Sequence, residues 1–155
     1  MLSFKDFISE SKSGTYAAVT PTEESHTHLR KFMEDNKIPN AEKNLHATLL
    51  YSRKHLPNYK PDDSIEHHAD THKLEIWPTK SGKNCLVMKL NSDSLKTRHK
   101  KLMDEHKATY DYPEFNPHIS LSYDVGDFDH TKLKNIPKKL KLSNEYSEDL
   151  DTTGK

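Results

Sequence analysis

The chain has 155 residues and lacks several features that would fix a class of protein at once. A single cysteine, Cys85, excludes an internal disulfide, and its apolar surroundings predict a buried thiol in a reducing cytoplasm. No apolar run reaches membrane-spanning length, and the N-terminus lacks the apolar stretch of a secretory signal, so no membrane partner is expected. Net charge is zero, with 24 basic and 24 acidic residues, which argues against a long nucleic acid as partner. A small anionic ligand fits this balance better.

Two similar short strings stand out against this background. They are Leu45-His46-Ala47-Thr48-Leu49 and Pro117-His118-Ile119-Ser120-Leu121. Chance alone gives roughly 0.2 strings with this apolar pattern around a histidine and a hydroxyl, yet the chain has two. Because side chains alternate along a strand, each histidine shares a face with the hydroxyl two residues later, and the apolar residues turn toward a core. Two imidazoles that exchange a proton near pH 7, each beside a hydroxyl donor, suit attack on a phosphodiester without a metal.

The two strings end the two halves of an internal repeat. A strand over residues 15–19 and a helical run toward Asn36 precede the first string. A strand over residues 85–90 and a helix capped by Ser92 precede the second. Because strand, helix and motif strand follow in the same order in both halves, the sequence predicts two related β-α-β lobes that share one cleft rather than two independent domains.

With these motifs in this order, the chain resembles the two-histidine phosphoesterase superfamily, and within it the anti-CBASS nucleases of tailed phages. The resemblance spans about residues 14–147. It implies an α+β, bilobal (LigT-like) fold, in which the sheets of two pseudo-symmetric lobes, about 14–80 and 81–147, line a central cleft. Residues 1–13 are then an N-terminal extension and residues 148–155 a flexible tail.

The resemblance also implies an activity, which is hydrolysis of 3′-5′ bonds in cyclic di- and trinucleotide immune signals such as 3′,3′-cGAMP, without metal or other cofactor. The implied catalytic residues are His46, Thr48, His118 and Ser120. One neutral histidine takes the proton of the substrate's 2′-hydroxyl, the other protonates the departing 5′-oxygen, and a 2′,3′-cyclic phosphate forms first. The two hydroxyls donate to the non-bridging oxygens. The sequence does not say which histidine starts as base.

Two other functions stay open from sequence. A housekeeping RNA 2′,3′-cyclic phosphodiesterase would use the same four residues on a linear RNA end. A noncatalytic sponge would keep the fold and sequester the signal intact, although pure binding needs no pair of proton-transfer groups. In each case we expect a monomer acting in the host cytoplasm.

Aromatic side chains and one late carboxylate are candidates for binding the bases. Tyr16 in the first strand and Trp77, the only tryptophan, are predicted to stack on nucleobases, with core packing as the alternative. Glu145 is predicted to contact a base edge or orient a catalytic group, with an ordinary solvated carboxylate as the alternative. Tyr51 and Tyr123 each follow a motif histidine by five residues, and strict alternation assigns both to packing on the core side.

Further histidines form two clusters of residue types that zinc uses. These are His67, His68, Asp70 and His72, and separately His26 and His28. Neither cluster has a recognised closed spacing, and the first lies in a polar segment over residues 57–71 that reads as a solvated loop. We therefore predict no metal site.

Overall fold

The computed structural model describes residues 13–110 and 114–151, in which six strands, two α-helices and one 3₁₀ turn are found. In chain order these are β1 (Ser13–Pro21), α1 (Glu23–Asp35), β2 (Ala47–Ser52), β3 (His67–Pro78), β4 (Asn84–Asn91), α2 (Asp93–His106), β5 (His118–Ser122), the 3₁₀ turn (His130–Lys132) and β6 (Lys139–Asp151). The strand-helix-strand order predicted for each half is confirmed. Nearly all of the predicted N-terminal extension, residues 1–12, lies outside the described residues.

Hydroxyl side chains begin both helices. Thr22 Oγ1 accepts a hydrogen bond from the Ser25 N–H at 3.4 Å, and Ser92 Oγ accepts one from the Leu95 N–H at 3.2 Å. Each bond satisfies one of the first N–H groups of a helix, which have no partner within the helix itself. The two helix starts predicted from sequence are confirmed.

The six strands close into a barrel in the order β1-β2-β5-β4-β3-β6, with antiparallel pairing throughout. The halves exchange their third strands, since β3 lies beside β4 and β6 lies beside β1. A tight turn explains the first pairing, because the Thr79 N–H donates to the Lys83 carbonyl at 2.8 Å and folds β3 directly back into β4. Each half of the chain therefore contributes one strand that pairs with the first strand of the other half.

Two further boundaries differ from expectation. β6 continues through residues 148–151 and pairs there with residues 13–16 of β1, so this part of the predicted tail is strand. β3 begins at His67, inside the segment predicted to be a loop. Both differences have one cause, since strand pairing joins backbone groups and does not require apolar side chains.

The core lies under the helices, on the face of the barrel opposite to the motif side chains. Its largest fully buried side chains are Leu29, Leu45, Leu49, Leu50, Leu86, Met88, Leu95, Leu102, Ile119, Leu121, Leu140 and Leu142. Leu29 lies on α1 and Leu95 on α2, so both helices contribute to one core cluster. Within the part of the chain that the structure describes, no helix is long and apolar enough to cross a bilayer.

Candidate active site

The two motifs lie on neighbouring strands, at the place where β2 meets β5. Ala47 and Ile119, the middle residues of the motifs, are Cα partners and are 1% and 0% exposed. Continuing this antiparallel register sets each histidine beside the hydroxyl residue of the other motif. The two histidines and two hydroxyl residues are half-buried, whereas the residues between them face the core. The structure therefore brings the four predicted residues together at one seam of the barrel.

The same backbone contact orients both imidazoles. His118 Nδ1–H donates to the Asn116 carbonyl at 2.7 Å, and His46 Nδ1–H donates to the Asn44 carbonyl at 3.3 Å. Because a carbonyl only accepts, Nδ1 holds the hydrogen in the neutral ring. Nε2 of each ring is left to take up or release a proton.

The environment of His118 favours its neutral form. Burial lowers the pKa of His118, and the charges of His46 and Lys89 lower it further, against an opposing effect of the bond to the Asn116 carbonyl. Trp77 packs on the His118 ring, with a centroid distance of 4.6 Å and an interplanar angle of 59°.

Each motif hydroxyl has a polar neighbour on the adjacent strand, and the two neighbours occupy equivalent positions in the two halves of the chain. Thr48 Oγ1 and the Tyr16 hydroxyl share a hydrogen bond of 3.1 Å. The Ser120 side chain lies near the thiol of Cys85, the residue of β4 that corresponds to Tyr16 in β1. Cys85 is buried, as predicted, but its place beside a motif hydroxyl was not foreseen. Burial raises the pKa of Cys85 and of Tyr16, so both groups stay protonated at neutral pH.

A β-bulge in each motif strand turns a second pair of tyrosines toward the cleft. The pairing with β1 skips Leu49 in β2, and the pairing with β4 skips Leu121 in β5. One extra residue reverses the alternation beyond it. Tyr51 and Tyr123 are accordingly 41% and 47% exposed, and the Tyr51 ring lies 6.2 Å from that of Tyr16. Their assignment to core packing is wrong.

The two aromatics predicted to bind bases both adjoin a motif histidine. The Tyr16 ring makes an edge contact with His46 at 6.3 Å and with Tyr146 at 6.4 Å. Trp77 covers His118, and its indole N–H donates to Glu75 Oε1 at 3.0 Å. Both rings are half-buried and line the cleft.

Glu145 is buried and is not the solvated carboxylate that was given as its alternative role. Its side chain is 1% exposed, and Arg98 donates from Nε to Oε1 and from Nη2 to Oε2, both at 2.8 Å. Tyr59 Oη and the Asp62 N–H donate to Oε2 at 2.6 Å and 3.0 Å. Burial raises the pKa of Glu145, but these bonds outweigh it and hold the pKa below its ordinary value. The carboxylate joins α2 to β6 and has no surface to offer a base.

An open pocket of about 500 Å³ adjoins His46 on the side away from β5. Its polar lining includes Thr20, Arg30, Asn44 and Asn144, and the Tyr146 ring forms one wall. No sequence pattern indicated this pocket, because its residues come from three separate stretches of the chain, 20–30, 44–46 and 144–146. It offers amide, hydroxyl and guanidinium groups next to one motif histidine.

The alternation of β3 divides the histidine cluster that was considered for zinc. His67 points inward, is 1% exposed and shares a 2.6 Å hydrogen bond through Nδ1 with Ser94 Oγ. His68 points outward and lies 3.4 Å from Glu66 Oε1. Over residues 13–110 and 114–151, no group of three or more histidine, cysteine or carboxylate side chains has the geometry of a metal site.

The geometry defines a class of protein, an antiparallel β-barrel whose seam displays two histidines and two hydroxyls on one face of a cleft. Comparison with known proteins gives the family. The family model described as Anti-CBASS protein Acb1 matches residues 13–155. Proteins of that name from Acinetobacter phage Ac42 and Enterobacteria phage T4 are 36% and 34% identical over 152 residues, covering 96% and 97% of this chain and 98% and 94% of the relatives. The relative from Salmonella phage S16 is 33% identical, with 97% and 94% covered. The chain belongs to the Acb1 family of anti-CBASS proteins.

Proposed function

We propose that this protein is a metal-independent phosphodiesterase that hydrolyses the 3′-5′ bonds of cyclic di- and trinucleotide immune signals, such as 3′,3′-cGAMP. Membership of an anti-CBASS family supports a role against this defence. The proposed chemistry rests on one observation, the pairing of two motifs whose imidazoles have the same fixed tautomer and lie beside two hydroxyls. Paired proton-transfer groups suit catalysis better than passive binding.

The first step is attack by the substrate's own 2′-hydroxyl on the adjacent phosphorus. Nε2 of a neutral histidine takes the 2′-hydroxyl proton as the new O–P bond forms. The 5′-oxygen leaves with the electron pair of its bond to phosphorus and receives a proton from Nε2 of the other histidine. The product is a 2′,3′-cyclic phosphate. Water then opens it with the histidine roles exchanged, which leaves a 3′-phosphate.

The two hydroxyls stabilise the negative charge that the non-bridging oxygens carry in the transition state. Thr48 and Ser120 donate to these oxygens, and the Thr48 hydroxyl also bonds with Tyr16. Loss of one such donor costs on the order of 100-fold in rate. The bond with Tyr16 fixes the position of the Thr48 hydroxyl before substrate arrives.

The aromatic groups provide surfaces for the bases. Trp77 stands on the His118 side and Tyr146 on the His46 side, where the pocket of about 500 Å³ leaves room for a base. Tyr51 and Tyr123 add exposed rings at the rim. Stacking on such rings is worth about 1–3 kcal/mol per base and depends little on base identity, which suits an enzyme that destroys several related signals.

The test incubates purified protein with 3′,3′-cGAMP in EDTA, beside His46→Ala and His118→Ala proteins, and resolves the products by chromatography and mass spectrometry. We expect cleavage to 3′-phosphorylated products by the parent protein and loss of cleavage in both variants. Intact dinucleotide in every reaction contradicts the proposal. Cleavage restricted to linear RNA ends with a 2′,3′-cyclic phosphate assigns the housekeeping activity instead, and recovery of tightly bound, unmodified dinucleotide assigns a sponge.

A further inference from the structure

The two motif histidines have equivalent positions in the cleft, but the residues beside them on the neighbouring strands differ in charge. Lys89 of β4 is the Cα partner of His118. In the other half, continuing the register of β1 with β2 makes Thr20 the partner of His46. A neutral hydroxyl therefore flanks one histidine and a cation flanks the other.

Lys89 is held loosely, which leaves its N–H groups available to an anion. Its Nζ lies 3.8 Å from Glu75 Oε1, beyond hydrogen-bond distance, and its side chain is 20% exposed. Glu75 already has two closer partners, Lys73 Nζ at 3.1 Å from Oε2 and the Trp77 N–H at 3.0 Å from Oε1. Two lysines with one carboxylate leave this wall of the cleft with a net positive charge.

The position of Lys89 points to a phosphate other than the one being cleaved. The reacting phosphate lies at the seam of β2 and β5, between the two histidines. Lys89 lies on the next strand outward, and neighbouring strands are about 4.8 Å apart. A cyclic dinucleotide has a second phosphate, which extends beyond the reacting one.

We propose that Lys89 binds the second phosphate of the cyclic dinucleotide on the His118 side of the cleft, and that Glu75 positions both Lys89 and the Trp77 ring. This inference rests on the proposed function. With the reacting phosphate at the seam, the second phosphate lies either on the His118 side or on the His46 side. Lys89 occupies on the His118 side the strand position that Thr20 has on the His46 side, and therefore favours the second phosphate on the His118 side.

Binding to a protein that does not turn over tests the inference. We would measure the affinity of the His46→Ala protein for 3′,3′-cGAMP and for a nucleoside 2′,3′-cyclic monophosphate by calorimetry, at about 50 mM and about 200 mM salt. Adding Lys89→Met should weaken 3′,3′-cGAMP binding about tenfold and reduce its salt dependence, since a charged hydrogen bond is lost. The monophosphate has no second phosphate, so its affinity should change less than about twofold.

Matched variants separate a lost contact from a damaged fold. Lys89→Arg should retain affinity within about threefold, because the charge and donors remain. Lys100→Met removes an exposed lysine of α2, on the helix side of the core and away from the cleft, and should change affinity less than about twofold. Thermal melts by circular dichroism should match in all variants, and Lys89→Gln provides a second neutral variant.

The outcomes distinguish this inference from the proposed function. Unchanged 3′,3′-cGAMP affinity in folded Lys89→Met or Lys89→Gln protein overturns the inference. An equal loss for both ligands also overturns it, because Lys89 would then contact the reacting phosphate. Absence of 3′,3′-cGAMP binding to the parent protein contradicts the proposed function itself.

Discussion

At the scale of single residues, His118 and His46 have equivalent positions but unequal surroundings. His118 lies under the Trp77 ring and beside Lys89, and burial is the main cause of its lowered pKa. A histidine that stays neutral at pH 7 is prepared to accept a proton. Within the proposed mechanism we therefore expect His118, rather than His46, to take the first proton.

A substrate with sulfur in place of the bridging 5′-oxygen tests these roles. A thiolate leaves without a proton, so the acid becomes dispensable while the base does not. We expect His46→Ala protein to regain a large part of the parent rate on this substrate and His118→Ala protein to remain inactive. Product release followed by a thiol-reactive dye gives the rates. Selective recovery of the His118→Ala protein would reverse the two roles.

The sequence predicted the residues of the site better than their contacts. The spacing within each motif is local, so His46, Thr48, His118 and Ser120 were found from the pattern alone. Glu145 was not predictable in the same way, because Arg98, its buried partner, is distant in sequence and follows no motif. The place of Lys89 beside His118 was not predictable for a similar reason, since it comes from the pairing of β4 with β5.

At the scale of elements, the bulges and one buried ion pair determine what the strands present. Each bulge carbonyl is satisfied from outside its strand, that of Leu49 by His99 Nδ1–H at 2.6 Å and that of Leu121 by the Glu42 N–H at 2.8 Å. His99 also stacks on Phe115 at 4.1 Å, shortly before the second motif. α2 thus contacts both motif segments. No sequence pattern predicts these bulges. The tyrosines that follow them in β2 and β5 were therefore assigned to the wrong face of the strand.

The ion pair between α2 and β6 gives a prediction for stability. Arg98→Met should lower the free energy of unfolding by about 3–5 kcal/mol, because Glu145 is left as a buried charge without its cation. Urea denaturation measures this change. Lys100→Met, on the same helix, breaks only the exposed pair with Asp104 and should cost less than about 1 kcal/mol.

The same experiment resolves the role first predicted for Glu145. If Glu145 acts only by pairing with Arg98, Glu145→Gln destabilises the protein and leaves the affinity of the folded protein for 3′,3′-cGAMP unchanged. A variant of unchanged stability with weakened binding would instead support contact with a base edge.

At the scale of the whole molecule, the repeat predicts the order of elements but not their assembly. The strand-helix-strand order of each half follows from periodicity and capping, both of which are local. The exchange of β3 and β6 between halves depends on a short turn after β3 and on the pairing of β6 with β1, and single strands do not encode their neighbours. Barrel closure sets the two motifs side by side.

Buried histidines make the stability of the whole fold dependent on pH. Burial lowers the pKa of His67, His99 and His118. The unfolded chain therefore binds protons first as pH falls below about 6.5, and stability should decline from there down through the folded-state pKa values. The stabilising contribution of Glu145 is lost in a separate, lower window, as pH falls from its unfolded value of about 4.3 through its lowered folded pKa.

Thermal melts between pH 8 and pH 4 measure this dependence. The parent protein should melt at progressively lower temperature below about pH 6.5, and His118→Asn protein should lose less stability over the first part of this range. A melting temperature that stays constant from pH 8 to pH 5 would be inconsistent with three histidines held neutral by burial.

The most direct test of the central claim removes the proposed nucleophile from the substrate. The claim is that two histidines at the seam of β2 and β5 use the substrate's own 2′-hydroxyl, without metal, to break the phosphodiester. Cleavage of 3′,3′-cGAMP should therefore be compared with cleavage of its 2′-deoxy analogue, in EDTA and at saturating concentration. The account predicts 3′-phosphorylated products, by way of a 2′,3′-cyclic phosphate, from the ribose substrate and none from the deoxy analogue. Cleavage of the deoxy analogue at a comparable rate would mean that water attacks directly, and would contradict the account.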